Sequence, residues 1–482
     1  MSVEVPTGRL ARLEALVDPD SFRESGSQAR HHVTAFGMAA KRPPGDGVIT
    51  GSARLDGRPI GVFAQDPKQL GGSLGEVHAA KIAAVQDHAA KTRVPVVGLL
   101  DSGGARIQEG VGALDGYGSI FARNVAMSGR VPQISVVLGA CAGGAVYSPA
   151  LTDLVIMNRD GANMFVTGPK VVKAVTFEDV TLEELGGASL HATASGVAHL
   201  VADDTADALD LTRGVLSYLP SSCWDELPFS PPAEPEQLLL GGGRGVPDDH
   251  RLPYDVRGIV RGVVDADSFL ELQERFAANL VIGFARMDGK PIGVVANQPN
   301  VLAGCLDINA SEKGARFVRL CDAFGLPLVV LVDVPGFLPG LGQEAGGIIR
   351  KGAKLLYAFA EAKVPRVTVV LRKAFGGAYI VMNSKSLGAD AVYIWPGAEL
   401  AVMGAEGAID VIFRRDLEAD PSRRDELLGR YRAEAMAPHL PAERLSVDEI
   451  IAPHETRQVV MTTLASLQRK TPPAYRHDNL PQ

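Results

Sequence analysis

Four short runs along the chain, residues 94–100, 134–138, 328–332 and 367–371, are apolar with no regular alternation of polar residues. A strand with one wet face alternates, so runs of this kind point to strands buried on both faces. Helical spacing lies between them. Phe317, Leu320, Cys321 and Phe324 sit at i, i+3, i+4 and i+7, with Ser311 placed as the N-cap. Strand, helix, strand implies parallel pairing. The succession predicts two α/β domains, each a mainly parallel sheet flanked by helices.

The pattern is written twice. Asp56-Gly57-Arg58-Pro59-Ile60-Gly61-Val62 returns 232 positions later as Asp288-Gly289-Lys290-Pro291-Ile292-Gly293-Val294. Val94-Pro95 and the run ending in Asp101 return at the same offset as Leu326-Pro327 and a run ending in Asp333. Val131-Pro132 and Gly143-Gly144 return as Val364-Pro365 and Gly376-Gly377, with one residue of slippage. The leading motif Asp18-Pro19-Asp20-Ser21-Phe22 resembles Asp265-Ala266-Asp267-Ser268-Phe269 at an offset of 247, which implies an insertion of 15 residues. Two homologous domains are therefore expected, at residues 1–235 and 236–482. The connector is placed near residues 230–255, where Pro231-Pro232, Pro235, Gly241-Gly242-Gly243 and Pro247 cluster.

Composition narrows the partners. The 482 residues carry 48 Lys and Arg against 56 Asp and Glu, a net charge of −8, with no basic cluster interleaved with aromatics, which argues against a nucleic-acid footprint. The four cysteines, Cys141, Cys223, Cys305 and Cys321, form no CxxC and have no His neighbours at metal-ligand intervals, so they read as reduced, mostly buried thiols and no metal site is expected. The first twenty residues contain no apolar core of signal-peptide length. The most apolar stretch, residues 134–151, is rich in Gly, Ala and Ser and reads as a strand, a turn and a helix start. A soluble cytoplasmic protein without a membrane partner is the expectation.

A strand that turns through small residues into a helix presents unpaired backbone N–H groups at the positive end of the helix dipole. Ala142-Gly143-Gly144-Ala145 and Phe375-Gly376-Gly377-Ala378 both have that form. Each is either an oxyanion hole or a device for close helix-to-strand packing; its presence in both repeats favours the first. Gly71-Gly72-Ser73-Leu74-Gly75, Ser102-Gly103-Gly104-Ala105 and Pro335-Gly336-Phe337-Leu338-Pro339-Gly340 either line a ligand channel with main-chain edges or are plain turns. No GxSxG, HExxH or phosphate-cradle GK[ST] motif occurs. His78, His191 and His199 lack an evident orienting partner and are read as surface or structural groups. Arg106, Lys351 and Lys354 could reach ligand phosphates but are better read as solvated charge.

The longest motifs are GGSLGEVHAAKI at 71–82, DSGGARIQEG at 101–110, GACAGGAVYSPAL at 139–151, DVPGFLPG at 333–340 and RKAFGGAYIVMNSK at 372–385. With them the chain resembles, over nearly its whole length, the carboxyltransferase β subunit of the biotin-dependent acyl-CoA carboxylases, in the acetyl-CoA and propionyl-CoA branch. The resemblance implies two tandem crotonase-like domains and a homohexamer built as a trimer of dimers, with an active site shared between subunits. Acyl-CoA would lie on the first domain, its thioester oxygen held by the amides of Gly143 and Gly144, with Gly71, Gly72, Ser102, Gly103, Gly104 and Ala105 lining its seat. Carboxybiotin would lie on the second, with its oxygen held by Gly377 and Ala378 and with Gly336, Phe337 and Gly376 beside it. The cofactor then supplies the base, which accounts for the missing side-chain base.

By the same resemblance, Ile380 stands where members favouring propionyl-CoA tend to carry Asp, so acetyl-CoA is the expected preference, with propionyl-CoA also used. The sequence lacks the CxxC zinc ribbon of the split acetyl-CoA carboxylase β chain, a biotin-attachment AMKM and an ATP-grasp signature. A biotinylated α subunit, carrying the biotin carboxylase and carboxyl carrier functions, is the expected partner. Two other readings stay open: a decarboxylase subunit of the same fold, and a non-catalytic subunit of a carboxylase complex.

Overall fold

A computed structural model describes residues 9–236 and 246–467. The chain divides between Glu226 and Leu227 into two units, and each repeats the same plan. The described residues of the expected connector, 230–236 and 246–255, belong to the second unit. There the Ser230 amide donates to the Gly289 carbonyl (3.0 Å) and the Ala266 amide to the Glu234 carbonyl (3.2 Å). Gly241, Gly242 and Gly243 lie outside the described residues.

In the first unit β1 (Arg23–Ser25), β2 (Val48–Leu55), β3 (Arg58–Gln65), β4 (Val96–Ser102), β5 (Gln133–Ala142), β6 (Leu154–Asn158) and β8 (Leu200–Ala202) lie side by side in that order, and β7 (Asn163–Phe165) pairs with the end of β5. The second unit repeats this with β9 (Leu270–Leu272), β10 (Leu280–Met287), β11 (Lys290–Asn297), β12 (Leu328–Val334), β13 (Arg366–Phe375), β14 (Ala391–Ile394) and β16 (Glu449–Ile450), while β15 (Glu399–Ala401) pairs with the end of β13. From β3 and from β11 onward the pairing is parallel, as the unbroken apolar runs predict. β4 starts two residues later than the apolar run at 94–100. Every residue of β12 is buried, between helices that cover its sheet.

The first three strands of each sheet are antiparallel, which the apolar runs do not announce. Their hairpin is the repeated Asp-Gly. Asp56 and Gly57 have φ of 50° and 76°, Asp288 and Gly289 of 53° and 73°, the pair of positive values that a two-residue turn needs to follow strand twist. The leading motif clamps that turn: the Asp18 carboxylate accepts from the amides of Asp56 and Gly57 (both 2.8 Å), and Asp265 does the same for Asp288 and Gly289 (3.1 and 2.8 Å).

After β3 comes α2 (Glu76–Thr92), preceded in the chain by α1 (Arg9–Leu16), and after β4 comes α3 (Val111–Met127). In the second unit the helix Ile308–Phe324 buries Phe317, Leu320, Cys321 and Phe324 as expected. Its N-cap is Asp307, whose carboxylate accepts from the Ala310 amide (2.8 Å), and not Ser311, which is buried one turn inside the helix with its hydroxyl donating to the Asp307 carbonyl. Both residue types cap well, so local pattern could not choose between them. Among the described residues no helix is long and apolar enough to cross a membrane.

Close backbone approach ties the loops together at one end of each sheet. Gly72 has φ of 63°, and a Cβ there would collide with the Asp101 carbonyl oxygen. Gly304 has φ of 79°, and its Cβ would lie 2.5 Å from the Asp333 carbonyl oxygen. Gly57 has a similar φ but open space around it. Gly72→Ala is expected to cost about 2 kcal/mol or more, against about 1 kcal/mol for Gly57→Ala, by urea unfolding. Equal costs would show that space at Gly72 is not limiting.

Candidate functional site

Each unit carries one candidate site, at the end of its sheet where β5 or β13 runs out. β5 ends at Ala142, and Gly143–Val146 forms a single tight turn before the helix Tyr147–Leu151. β13 ends at Phe375 and passes directly into the helix Gly376–Val381. The first residue of each turn is left-handed, with φ of 62° at Gly143 and 59° at Gly376, a conformation glycine takes without a Cβ penalty. The amides that open such a turn have no acceptor within it and point outward at the positive end of the local dipoles.

The homologous pairs are Gly143 with Gly376 and Gly144 with Gly377. The residues expected to act, Gly143 and Gly144 in one half and Gly377 and Ala378 in the other, are thus offset by one position. Gly377 is exposed, while the Ala378 side chain is fully buried beneath its helix.

In the first unit the structure brings the other residues expected to line the acyl-CoA seat close to this turn. The Gly103 amide donates to the Gly71 carbonyl (3.0 Å), the Leu74 amide to Gly104 (2.9 Å) and the Arg106 amide to Leu74 (2.9 Å). The Ser102 hydroxyl donates to the Gly72 carbonyl (2.8 Å) and accepts from the Gly104 amide (3.2 Å). Gly104, with φ of 96°, would place a Cβ 2.7 Å from the Ala142 carbonyl oxygen, so Ser102–Ala105 lies against the strand end that leads into Gly143. Tyr117 of α3, missed by the sequence reading, walls the turn: a Cβ on Gly144 would sit 3.0 Å from its ring.

In the second unit the Leu306 amide donates to the Gly336 carbonyl (3.1 Å) and the Leu338 amide to Leu306 (2.8 Å), the same crossover with Phe337 at the centre. Phe337 lines an apolar cavity of about 360 Å³ with Ile348, Ile349, Gly352, Leu356 and Val381. Gly352 belongs to this seat because the Phe337 ring would meet its Cβ at 3.0 Å. Val381 brings the cavity to the helix that begins at Gly376. Ile380, on the same helix, is 43% exposed.

The titratable groups considered as bases serve structure. His191 Nε2 donates to the Met164 carbonyl (2.8 Å) and its Nδ1 pairs with the Ser195 hydroxyl (2.7 Å), while His199 Nδ1 accepts from the Val155 amide (3.1 Å). His78 is fully buried, with Nδ1 on the Asp46 carbonyl (3.0 Å) and Nε2 facing the Gln65 amide (3.4 Å). Burial, helped by the nearby Arg106 and opposed by that carbonyl bond, pushes its pKa down to about 3.

Expectation and structure part at Arg106. It is not solvated surface charge but 1% exposed, paired with Asp46 and Glu109. Lys351 and Lys354 both pair with Glu312. Asp101, whose carboxyl is pushed up by burial, is paired with Arg12 of α1 (3.4 Å). Its homologue Asp333 is paired with Arg372 (3.0 Å).

The family model of the carboxyl transferase domain matches residues 6–480. The carboxyltransferase subunit of propionyl-CoA carboxylase from Haloferax mediterranei is 53% identical over 476 residues, 98% of this chain and 92% of that one. The biotin-dependent acetyl-/propionyl-coenzyme A carboxylase beta5 subunit of Mycobacterium leprae is 49% identical over 487 residues, 98% of this chain and 89% of that one. Among solved structures, transcarboxylase 12S, described as a hexamer with methylmalonyl-coenzyme A bound, matches at a TM-score of 0.95 and 48% identity over 99% of this chain and 93% of that one.

One pH effect follows from the buried imidazole. The unfolded chain binds a proton at His78 below about pH 6.5, whereas the folded chain does so only near pH 3, so its contribution is intact above pH 6.5 and lost as pH falls between these values. From pH 7.5 to 5, wild type should lose about 2 kcal/mol more stability than His78→Gln in urea unfolding. Parallel losses in the two proteins would mean that His78 is charged in the fold.

Proposed function

This chain belongs to the carboxyl transferase domain family, and from that premise we propose that it transfers a carboxyl group between biotin carried on a partner subunit and the α carbon of a short-chain acyl-CoA. The observation that carries the reading is the repeated turn: two homologous strand ends, each opening a helix whose first amides have no acceptor within it, one in each half. Carboxyl transfer builds negative charge on two carbonyl oxygens, one on each reactant, and two such turns answer that need.

In this reading the first half binds the acyl-CoA. The amides of Gly143 and Gly144 hold the thioester oxygen, and Gly71, Gly72, Ser102, Gly103, Gly104 and Ala105 supply the main-chain edge beside it. The second half receives the biotin. Gly377 and Ala378 hold its ureido oxygen, with Gly336, Phe337 and Gly376 beside it. The cavity lined by Phe337 and Val381 is largely apolar, with Glu344 as its one charged lining residue, and of a size for a small bicyclic ring, so the residues present fit the group. When bound, carboxybiotin supplies the carboxyl group and the base. The protein contributes amides, exclusion of water and proximity, in keeping with the structural engagement of His78, His191 and His199. The two halves in one reaction come from different protomers of a hexamer, and a biotinylated α subunit delivers the cofactor.

Acetyl-CoA is the preferred substrate in this reading, because an apolar Ile380 stands on the exposed face of the second turn. The relatives named for propionyl-CoA favour the other order, so the assay must compare the two. Purified protein with free biotin should convert malonyl-CoA to acetyl-CoA, and more slowly methylmalonyl-CoA to propionyl-CoA. A folded protein that turns over neither overturns the proposal; faster methylmalonyl-CoA turnover reverses the preference only.

Ile380→Asp should raise the propionyl to acetyl ratio of kcat/KM for the forward reaction, and an unchanged ratio removes the residue from the specificity argument. Gly144→Pro and Ala378→Pro each delete one amide donor. Each should lower kcat by about 10²- to 10³-fold if the protein remains folded by circular dichroism.

A further inference from the structure

We propose that Arg106 is a positioning residue for the acyl-CoA side, holding the Gly71–Gly75 and Ser102–Ala105 segments in register through a buried charge network that the second half does without. The proposal rests on the functional reading above, since it takes those segments to be the seat of the acyl-CoA.

The network starts in the insertion that distinguishes the halves, 15 extra residues between Phe22 and Asp56. Its end, Gly45-Asp46-Gly47, runs through three positive φ values of 81°, 51° and 78° and so aims the Asp46 side chain inward. One Asp46 oxygen accepts from Arg106 Nη1 (2.7 Å) and the other from the His78 amide in the first turn of α2 (3.0 Å). Arg106 Nη1 also reaches Glu109 Oε1 (2.7 Å), and its Nη2 donates to the Ser73 carbonyl (2.8 Å). The other Glu109 oxygen accepts from the Glu76 amide (2.7 Å). One guanidinium therefore joins the inserted loop, the Gly71–Gly75 segment and the turn at Ile107–Glu109, while both of its carboxylate partners cap the start of α2.

The second half is an internal control. It makes the same main-chain crossover, Leu306 with Gly336 and Leu338, but Leu338 stands where Arg106 does. Its helix is capped by its own Asp307, and the shorter loop between β9 and β10 offers no aspartate equivalent to Asp46. The crossover forms without the charges, so folding the repeat does not require them. What they add is fixation of main-chain groups by buried bonds at 2.7 to 2.8 Å. Arg106 is turned inward and touches no ligand surface; its effect is on where the loop amides and carbonyls stand.

Two variants test this. Arg106→Lys keeps the charge but not the fork that spans two carboxylates. The triple variant Arg106→Leu, Asp46→Asn, Glu109→Gln removes every charge of the network together, as in the second half, so that no unpaired ion is left buried. Acyl-CoA affinity is read by calorimetry with malonyl-CoA, and turnover by biotin-dependent decarboxylation. The expected result is a KM and dissociation constant for malonyl-CoA raised by about tenfold or more in the triple variant and partly restored in Arg106→Lys, with the KM for free biotin unchanged.

A triple variant that is folded, of wild-type oligomeric state and of wild-type malonyl-CoA affinity overturns the proposal. So does an equal rise in both KM values, which would mark a general loss of structure. Wild-type protein that neither binds malonyl-CoA nor decarboxylates it defeats the functional reading itself, and this proposal with it; that outcome is told from the others without any variant.

Discussion

The nearness of two main-chain segments governs everything at the functional end of each sheet. The loop after β3 passes so close to the end of β4 that the Asp101 carbonyl oxygen occupies the place of a side chain on Gly72, and Gly304 meets Asp333 in the same way. Only a residue without a Cβ, free to take a positive φ, allows the approach. Once allowed, it lets Leu74 and Leu306 bond across to the neighbouring loops, and those loops in turn lie beside the strands that lead into Gly143 and Gly376. Backbone density of this kind puts amides and carbonyls where side chains would ordinarily stand. A site built on it works through the main chain.

On this common frame the halves differ by the insertion with its charge network and by local exchanges of partner. Asp101 and Asp333 are homologous and largely buried, yet their cations arrive by different routes. In the second unit Arg372 follows from β13 itself. In the first, Gly139 holds the corresponding place, a Cβ there would collide with the Asp101 carboxylate, and the guanidinium comes instead from Arg12 of α1. The aromatic ring near the turn shifts in a similar way: Tyr117 on α3 stands against Gly144, whereas in the second unit Phe337 on the loop stands against Gly352. Duplication supplied the scaffold, and exchanges of this sort let one copy present a polar, glycine-lined edge and the other an apolar cavity.

Engagement of the histidines bears on chemistry as well as stability. A neutral His78 locked between Asp46 and Gln65, and His191 and His199 spent on backbone bonds, withdraw the three imidazoles of the first unit that were candidate bases, and near the end of β13 His250 is paired with Glu399. Reaction at such turns depends on electrostatic preorganisation and on whatever base the reactants bring. Membership of the carboxyl transferase domain family agrees with a site of that type.

By itself the sequence was enough for the duplicated α/β plan, the parallel core strands, the two Gly-Gly turns and the family, because each is carried by local period or by contiguous motif. Even the hairpin was on view in the repeated Asp-Gly, and the leading motif that clamps it was visible as a repeat, though not as a clamp. Tertiary structure alone decided which oxygen caps a helix, Asp307 in place of Ser311. It decided that residues 227–236 go with the second unit, through bonds to Gly289 and Ala266. It also turned Arg106 from an apparent surface charge into a buried strut. Whether a charged side chain is solvated or interred depends on what the fold brings to it from distant positions, here Asp46, sixty residues upstream, and no local pattern encodes that arrival.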